Sequence, residues 1–359
     1  MDYKVENNIK KSIYSDIEEI IKTDVDWNRF NGKTVLITGA GGFIGYYLVL
    51  TFLARNDVYN NNIKVLALVR NRERAEKKFG ALLQREDINL VVADVTDKLE
   101  CERADFIIHA ASQASNIQFE NDPVGTINAN LSGTSNILDF ALESKSESVL
   151  VVSSLKVYGA LHNGKDKISE EDIGYLDFTS YKNCYAVGKR ASETLAASYS
   201  KQFGVNVKIA RPSYIYGASS LTDDRVWAQF IANVVRREDI LLKSNGAANR
   251  SFCYVSDTVS ALIYIMLNGE NITPYNISYE KSDTTIRNFA RTACEVFPER
   301  NMKLSFANPE DEKEPIQDRS ALAATPEILD SSKLLALGWI PRVDLKEGIR
   351  RAVGILEEN

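Results

Sequence analysis

A tyrosine, a lysine and a serine in this sequence have the types and spacing for proton exchange at an alcohol or a ketone. Tyr185 and Lys189 stand at positions i and i+4 of the segment NCYAVGKRASETL, so on a helix they share one face. A free tyrosine titrates near about pH 10, and a nearby ammonium favours the phenolate and lowers that pKa. Ser154, in the upstream segment SSLKVYG, can hydrogen-bond the reacting oxygen. This set predicts hydride transfer at a carbinol carbon, in which a cofactor supplies the redox step.

A glycine-rich turn earlier in the chain predicts where that cofactor binds. The segment TGAGGFIG contains Gly39, Gly42 and Gly45, with Phe43 and Ile44 between the last two glycines. It follows the apolar run KTVLIT and opens the apolar segment FIGYYLVLTFLAR. Glycines in this context let the backbone approach a pyrophosphate, which rests on the N-terminus of the helix. The segment therefore predicts a dinucleotide site.

The end of the second predicted strand indicates which dinucleotide. An acid there would bind both hydroxyls of the adenosine ribose. The sequence instead reads ALVRNRERAEKK, with Arg70 and Arg72, while Arg74 is interpreted as part of a solvated basic helix start. A guanidinium suits a 2′-phosphate and cannot accept hydrogen bonds from hydroxyls. NADP is therefore preferred and NAD is the alternative; Asp94 and Val95, after the third strand, are expected to border the adenine.

Six apolar runs separated by helical segments must position these residues. The runs are KTVLIT, IKVLALV, INLVVADV, ADFIIHAA, SVLVVSS and VNVKIARP. Apolar runs that alternate with helices indicate an α/β fold with a parallel, doubly wound sheet covered on both faces. We expect an N-terminal helical extension over 1–31, a nucleotide-binding domain over 32–212 and a smaller α/β lobe over 213–359 that is interleaved with it.

The extension could instead be a loosely attached arm. Ile13, Ile17, Ile20 and Ile21 have helical spacing, however, and Trp27 and Phe30 follow, so a helix packed on the main body is preferred.

Composition excludes several classes of protein. The chain has 359 residues and a net charge of −6, which lacks the basic footprint of nucleic-acid binding. Two histidines and four cysteines without paired spacing make a metal site unexpected and point to free thiols in a reducing compartment. No signal peptide or membrane-spanning run is recognisable, so a cytoplasmic protein is expected.

Over residues 32–355 the chain resembles the extended short-chain dehydrogenases/reductases, specifically the nucleotide-sugar epimerase/dehydratase group. Within that group its pattern is most similar to the UDP-glucuronate decarboxylase branch. The resemblance rests on these segments: TGAGGFIG, DFIIHAAS, NLSGTSNIL, SSLKVYG, CYAVGKRASE, DDRV, RSFCYVSD and LGWIPRVDLKEGI. It implies a Rossmann domain with a small C-terminal lobe that binds a nucleoside-diphosphate sugar. It also implies a homodimer formed through the helix of Tyr185 and the helix before it.

The resemblance also implies residue roles. Arg225 and Arg250 are candidate ligands of the diphosphate, for which charge-assisted bidentate bonds suit arginine. Ser154, Tyr158 and Tyr214 are the other candidate substrate contacts. Further candidate cofactor contacts are Ala110, Ala111, Ser112, Asn130, Tyr185, Lys189 and Arg211.

Three departures from this group bear on the reaction. Lys156 stands where the decarboxylases and 4,6-dehydratases have a glutamate, and Tyr214 stands where many relatives have an asparagine. The third departure is the arginines after the second strand. Lys156 is a candidate catalytic residue, as a neutral base if burial lowers its pKa; otherwise it faces solvent or pairs with an acid.

These departures favour an NADP(H)-dependent reductase that delivers hydride to a ketone of a nucleotide-activated sugar or sugar-like substrate, with Tyr185 as proton donor. The alternative is an NAD-dependent nucleotide-sugar epimerase. A decarboxylase or 4,6-dehydratase with a relocated acid is third. A cofactor-binding protein without turnover is the remaining class, against which the intact Ser154, Tyr185 and Lys189 argue.

Overall fold

The computed structural model describes residues 11–162, 164–313 and 327–358. The α-helices in these segments are α1 Lys11–Ile21, α2 Phe43–Tyr59, α3 Arg72–Phe79, α4 Asn116–Asn121, α5 Pro123–Ser144, α6 Cys184–Phe203, α7 Val226–Arg236, α8 Val255–Asn268, α9 Ile286–Glu295, α10 Ser332–Ala336 and α11 Leu345–Glu357. The strands are β1 Thr34–Thr38, β2 Lys64–Val69, β3 Ile88–Val92, β4 Phe106–His109, β5 Ser148–Val152, β6 Val207–Pro212, β7 Tyr214–Tyr216, β8 Ile240–Leu242, β9 Asn249–Arg250, β10 Phe252–Tyr254, β11 Pro274–Ile277, β12 Thr284–Thr285 and β13 Leu304–Phe306.

The largest sheet of the described chain is parallel, with seven strands in the order β11-β6-β5-β4-β1-β2-β3. Its first six strands in sequence are the six apolar runs, which confirms the predicted α/β class and the doubly wound sheet. The neighbours of β1 are β2 on one side and β4 on the other, so the strand order reverses direction at β1. At such a switch point the loops beyond the carboxyl ends of the strands diverge and open a crevice.

The seventh strand comes from the C-terminal part of the chain. β11 pairs with β6 in the register Pro274 to Ile209 and Ile277 to Pro212. The remaining pairs, β7 with β10, β8 with β13 and β9 with β12, form small two-stranded sheets. The nucleotide-binding sheet thus extends past residue 212, in line with the expected interleaving, while the exact domain boundaries stay a prediction.

The N-terminal helix is part of the core. Ile13, Ile17 and Ile20 of α1 are buried in the main hydrophobic cluster. Asp16, on the same helix, is fully buried and accepts hydrogen bonds from the Tyr47 and Tyr254 hydroxyls at 3.1 and 2.9 Å. The structure therefore shows a helix packed on the main body and not a loosely attached arm.

None of the helices in the described segments has the length and hydrophobicity to span a membrane. Within those same segments no group of three or more histidine, cysteine or acidic side chains is arranged to hold a metal ion. All four cysteines are free.

Candidate active site

A groove of about 470 Å³ lies beyond the carboxyl ends of β1, β2 and β4, at the switch point of the sheet. Eight of the residues predicted to contact a cofactor line it: Gly39, Gly42, Arg70, Asp94, Val95, Ala110, Ala111 and Ser112. Arg74, Lys78 and Gln113 also line it. The groove thus collects the glycine turn, the basic end of β2 and the segment after β4.

The glycine turn has no room for side chains. Gly39 has a φ of +67°, which favours glycine, and a Cβ there would lie 2.9 Å from the Cα of Ala111. A Cβ at Gly45 would overlap the carbonyl oxygen of Gly39. Gly42 caps α2, so the positive end of a 17-residue helix begins at the groove. This bare backbone at a long helix N-terminus fits the pyrophosphate of a dinucleotide.

Positive side chains line the end of the groove next to the carboxyl end of β2. Arg70 lies 3.9 Å from Asp94, which stands across the groove. Lys78 donates to the carbonyls of Gly41 and Gly42 at 2.9 and 3.3 Å.

The helical phase of α3 decides which of its cations reach this groove. Asn71 caps α3 by accepting from the backbone amide of Arg74, which places Arg74 and Lys78 one turn apart on the groove side. Arg72 lies outside the groove and pairs with Glu76 at 3.5 Å. Arg74 is exposed, as interpreted from sequence, but it also lines the groove, whereas Arg72 does not. Lys78 was missed, although its i+4 spacing from Arg74 was a usable signal.

The structure brings three of the four predicted catalytic residues together: Ser154, Tyr185 and Lys189. Ser154 follows β5 and caps the 3₁₀-helix Leu155–Tyr158, while Tyr185 and Lys189 occupy the first turns of α6. The Ser154 side chain is close enough to the Tyr185 phenol to act against the rise in its pKa. Lys189 Nζ lies 5.9 Å from the centroid of the Tyr185 ring and donates to the carbonyl of Val152 at 2.8 Å.

The electrostatics of Tyr185 differ from the sequence expectation. Burial raises the pKa of Tyr185, and the opposing influences come from Ser154, Lys156 and Arg225. Burial also lowers the pKa of Lys189 to about 8. The predicted lowering of the Tyr185 pKa is therefore wrong for this structure, because desolvation outweighs the nearby charges. The ring of Phe119 stacks on Tyr185 with centroids 4.9 Å apart.

Lys156 belongs to a cluster of four side chains from separate segments, which we call the Glu327 cluster: Lys156, Tyr214, Arg250 and Glu327. Lys156 Nζ donates to the Tyr214 hydroxyl at 2.8 Å and to Glu327 Oε1 at 2.9 Å. Glu327 Oε2 accepts from the Tyr214 hydroxyl at 2.6 Å and lies 3.0 Å from Arg250 Nε. Glu327 had no local sequence signal, since it is 171 positions from Lys156.

This cluster determines the charge of Lys156. Burial alone would lower the pKa of the lysine, but Tyr214 and Glu327 raise it above the ordinary value. Burial alone would raise the pKa of Glu327, but Lys156 and Arg250 lower it. The structure thus shows Lys156 paired with an acid, and it does not support Lys156 as a neutral base.

Arg225 lies near the glycine turn. Its guanidinium is 5.6 Å from the centroid of the Phe43 ring and 4.6 Å from that of Trp227. Its Nε donates to Asp223 at 2.9 Å. The candidate diphosphate ligand is therefore oriented next to the start of α2, where Phe43 packs against α7 and does not line the groove.

Other predicted contact residues lie behind the site. Arg211 pairs with Glu193 at 2.6 Å and donates to the Tyr158 hydroxyl at 3.1 Å. Tyr158 is buried and donates to Asn276 at 2.6 Å. Since these partners are internal, the structure does not bring Arg211 to the cofactor groove or Tyr158 to the substrate side.

Asn130 is a positioning residue in this structure. It is buried and accepts from Ser112 at 3.0 Å, while its amide donates to Thr126 at 2.8 Å. Ile44 and Gly45 lie within α2, behind the turn. These three predicted contacts therefore support groove residues and do not line the groove.

Comparison with known proteins places the chain in a family. Residues 35–278 match the model of the NAD dependent epimerase/dehydratase family, so the chain belongs to that family. It is 33% identical to UDP-glucuronic acid decarboxylase 6 of Arabidopsis thaliana over 88% of this chain and 86% of the relative. It is 30% identical to UDP-glucuronic acid decarboxylase 1 of Danio rerio over 89% and 72%. The predicted family and its decarboxylase-like pattern are confirmed.

Solved structures share the fold. UDP-glucose 4-epimerase of Thermotoga maritima superposes with a TM-score of 0.70 at 21% identity, covering 89% of this chain and 97% of that one. UDP-glucuronic acid 4-epimerase of Bacillus cereus, in complex with UDP-glucuronic acid and NAD, gives 0.72 at 18%, covering 90% and 99%. The protein is thus an enzyme of the extended short-chain dehydrogenase/reductase class whose relatives act on nucleotide sugars.

Proposed function

We propose that the protein reduces a keto group on a nucleotide-activated sugar or sugar-like substrate with NADPH. The observation that carries this proposal is the pairing of Lys156 with Glu327 next to Ser154, which leaves neither an unpaired carboxylate nor a neutral amine at the position where the relatives have a glutamate. Burial raises the pKa of Tyr185, so its phenol is in the protonated form that a proton donor needs, and Lys156 is held as a cation. Both states are compatible with a reduction in which Tyr185 gives up a proton.

Each residue has a role in that proposal. A nicotinamide cofactor would supply the hydride when bound. Ser154 hydrogen-bonds the carbonyl oxygen, Tyr185 transfers its proton to the alkoxide that forms there, and Lys189 holds the nicotinamide ribose. Arg225 and Arg250 are the proposed diphosphate ligands, for which their guanidinium groups offer paired donors.

The preference for NADP rests on the basic end of the groove. Arg70, Arg74 and Lys78 line it, and Asp94 is the acid nearest to Arg70. A 2′-phosphate gains charge-assisted hydrogen bonds from such a set. The Bacillus cereus structural neighbour contains NAD, so NAD remains the alternative to be tested.

The second candidate is an NAD-dependent epimerase. The observation that favours it is the Glu327 carboxylate, which can remove and return a proton on a carbon next to a transient ketone. The C–H electron pair would then form an enolate while Glu327 takes the proton, and the cofactor would end each turnover unchanged.

A homodimer formed through α5 and α6 and a cytoplasmic location are also proposed. The dimer proposal rests on the resemblance and on partly exposed small residues such as Ala191 and Ala197 of α6. Light scattering on the purified protein tests it.

One experiment separates the candidate reactions. The purified protein is incubated with NADPH or NADH and a panel of nucleotide-linked sugars and keto sugars while nicotinamide absorbance and products are followed. We expect the control variant Tyr199→Phe, which is changed on the same helix, to consume NADPH stoichiometrically. Tyr185→Phe should consume none. Product formed without net cofactor change would establish the epimerase instead, and carbon dioxide released from a UDP-uronic acid would establish a decarboxylase.

A further inference from the structure

Glu193 is the acidic residue of α6, and it stands at i+4 from Lys189 on that helix. Its side chain is only 12% exposed. Its Oε1 accepts from the hydroxyl of Ser153 and from Arg211 Nε at 2.9 Å, and its Oε2 accepts from Arg211 Nη2 at 2.6 Å. Both oxygens of the carboxylate are therefore held by groups of the protein.

These contacts join α6 to the ends of two strands of the sheet. Ser153 immediately follows β5, and Arg211 belongs to β6. Lys189 also reaches the end of β5, where it donates to the carbonyl of Val152 at 2.8 Å. Two consecutive residues at the end of β5 are thus each bound by one residue of α6, and Ser154 is the next residue along the chain.

The titratable groups that act on Lys189 come from β4 and from α6 itself. His109 of β4 is buried, and burial lowers its pKa to about 3, so its ring is neutral. Tyr185 lies one turn before Lys189, and burial raises its pKa. Burial lowers the pKa of Lys189 to about 8, and the charge of Glu193 opposes that fall. Glu193 is therefore the anion that favours the ammonium form of Lys189.

We propose that Glu193 is a positioning residue for the reaction. It fixes the end of β5 against α6, which holds Ser154 beside Tyr185. Its negative charge also keeps Lys189 in the ammonium form that holds the nicotinamide ribose. The inference rests on the proposed function for the roles of these three residues, and it applies to a reductase and to an epimerase alike. A glutamine at 193 would keep the size of the side chain and remove its charge.

The pH dependence of cofactor binding tests the role of the charge. The purified wild type and Glu193→Gln are titrated calorimetrically with NADPH and with NADH over a series of pH values. The wild-type affinity should weaken above about pH 8, where Lys189 loses its proton. In Glu193→Gln this midpoint should fall by about one pH unit or more, because the carboxylate no longer favours the ammonium. Thr194→Ala, at the exposed neighbouring position of α6, is the matched control and should keep the wild-type midpoint.

Ser153→Ala separates position from charge. It removes the hydroxyl that Glu193 holds and leaves the carboxylate in place, so the binding midpoint should stay at about pH 8. Turnover of the nucleotide sugar that reacts in the substrate panel should nevertheless fall about tenfold, because Ser154 is displaced from Tyr185. Unchanged turnover in Ser153→Ala would reject the positioning role.

An unchanged midpoint in Glu193→Gln overturns the inference, because a purely structural ion pair with Arg211 would affect stability in urea and not the midpoint. If Glu193→Gln does not fold, the double variant Glu193→Gln/Arg211→Met leaves no lone buried charge, and the same fall of the midpoint is expected. A shifted midpoint without net consumption of NADPH supports the inference and overturns the proposed reductase. Failure of both NADPH and NADH to bind to the wild type overturns the two together.

Discussion

Replacing the buried acid Asp16 by asparagine should change how stability depends on pH. Asp16 anchors α1 to the core: it accepts from Tyr47 and Tyr254, and Arg351 donates to it at 3.1 Å. Burial raises its pKa from the ordinary 3.8 to about 6, although Tyr254, Arg351 and Tyr47 all oppose that shift. Ionising Asp16 in the folded protein is therefore less favourable than ionising it in the unfolded chain.

The sign follows from proton binding. Between its unfolded and folded pKa values the native state holds more protons than the unfolded state, so stability falls as pH rises through this window. The full difference between 3.8 and about 6 corresponds to about 3 kcal/mol at about 1.36 kcal/mol per pH unit. About 1.4 kcal/mol of it is expected between about pH 5 and about pH 7.5.

The assay is urea unfolding of the wild type, Asp16→Asn and Glu18→Gln at these two pH values. Other acids whose pKa is raised, such as Asp257, change the stability of all three proteins alike. The comparison is therefore between each variant and the wild type. The wild type should lose about 1.4 kcal/mol relative to Asp16→Asn as the pH rises. Glu18, exposed on the same helix, should show no such difference. A constant difference between wild type and Asp16→Asn would refute the reasoning.

Three further predictions concern the cofactor groove. Arg74→Ala should raise the Kd for NADP more than that for NAD in calorimetric titrations, whereas Arg72→Ala should affect neither; equal effects of both substitutions would reject the role assigned to the helical phase. Gly45→Ala should lower the melting temperature and abolish cofactor binding because its Cβ would overlap the turn, whereas Gly354→Ala has open space and should fold normally. Lys189 has a pKa of about 8, so cofactor affinity should weaken above about pH 8 in the wild type but not further in Lys189→Met; a parallel decline in both proteins would contradict this.

The fold was predictable where one element carries its own signal. β1 to β6 are short apolar runs because both faces of a parallel sheet are buried, and all six were found from sequence. β11, with the sequence PYNI, was missed because it is short, begins with proline and follows no regular alternation. Its place is set by pairing with β6, which is a tertiary contact.

The site was predictable to the same extent. Ser154, Tyr185 and Lys189 were found because their spacing is local to two elements. Glu327 was not, because its contact with Lys156 joins residues far apart in the chain. The shift in the pKa of Tyr185 was predicted in the wrong direction. Nearby charges can be read from the sequence, whereas desolvation depends on all the residues that pack around the ring.

The presence of Lys156 is not equivalent to a simple loss of the relatives' glutamate. The resemblance implies a glutamate at this position, and the structure instead has a lysine there that is paired with the carboxylate of Glu327. A carboxylate thus remains beside Lys156, but the cluster holds two cations and one anion, where a lone glutamate would be negative. In the proposed reduction no carboxylate base is needed, because hydride and a proton add to the ketone and the Tyr185 hydroxyl supplies the proton.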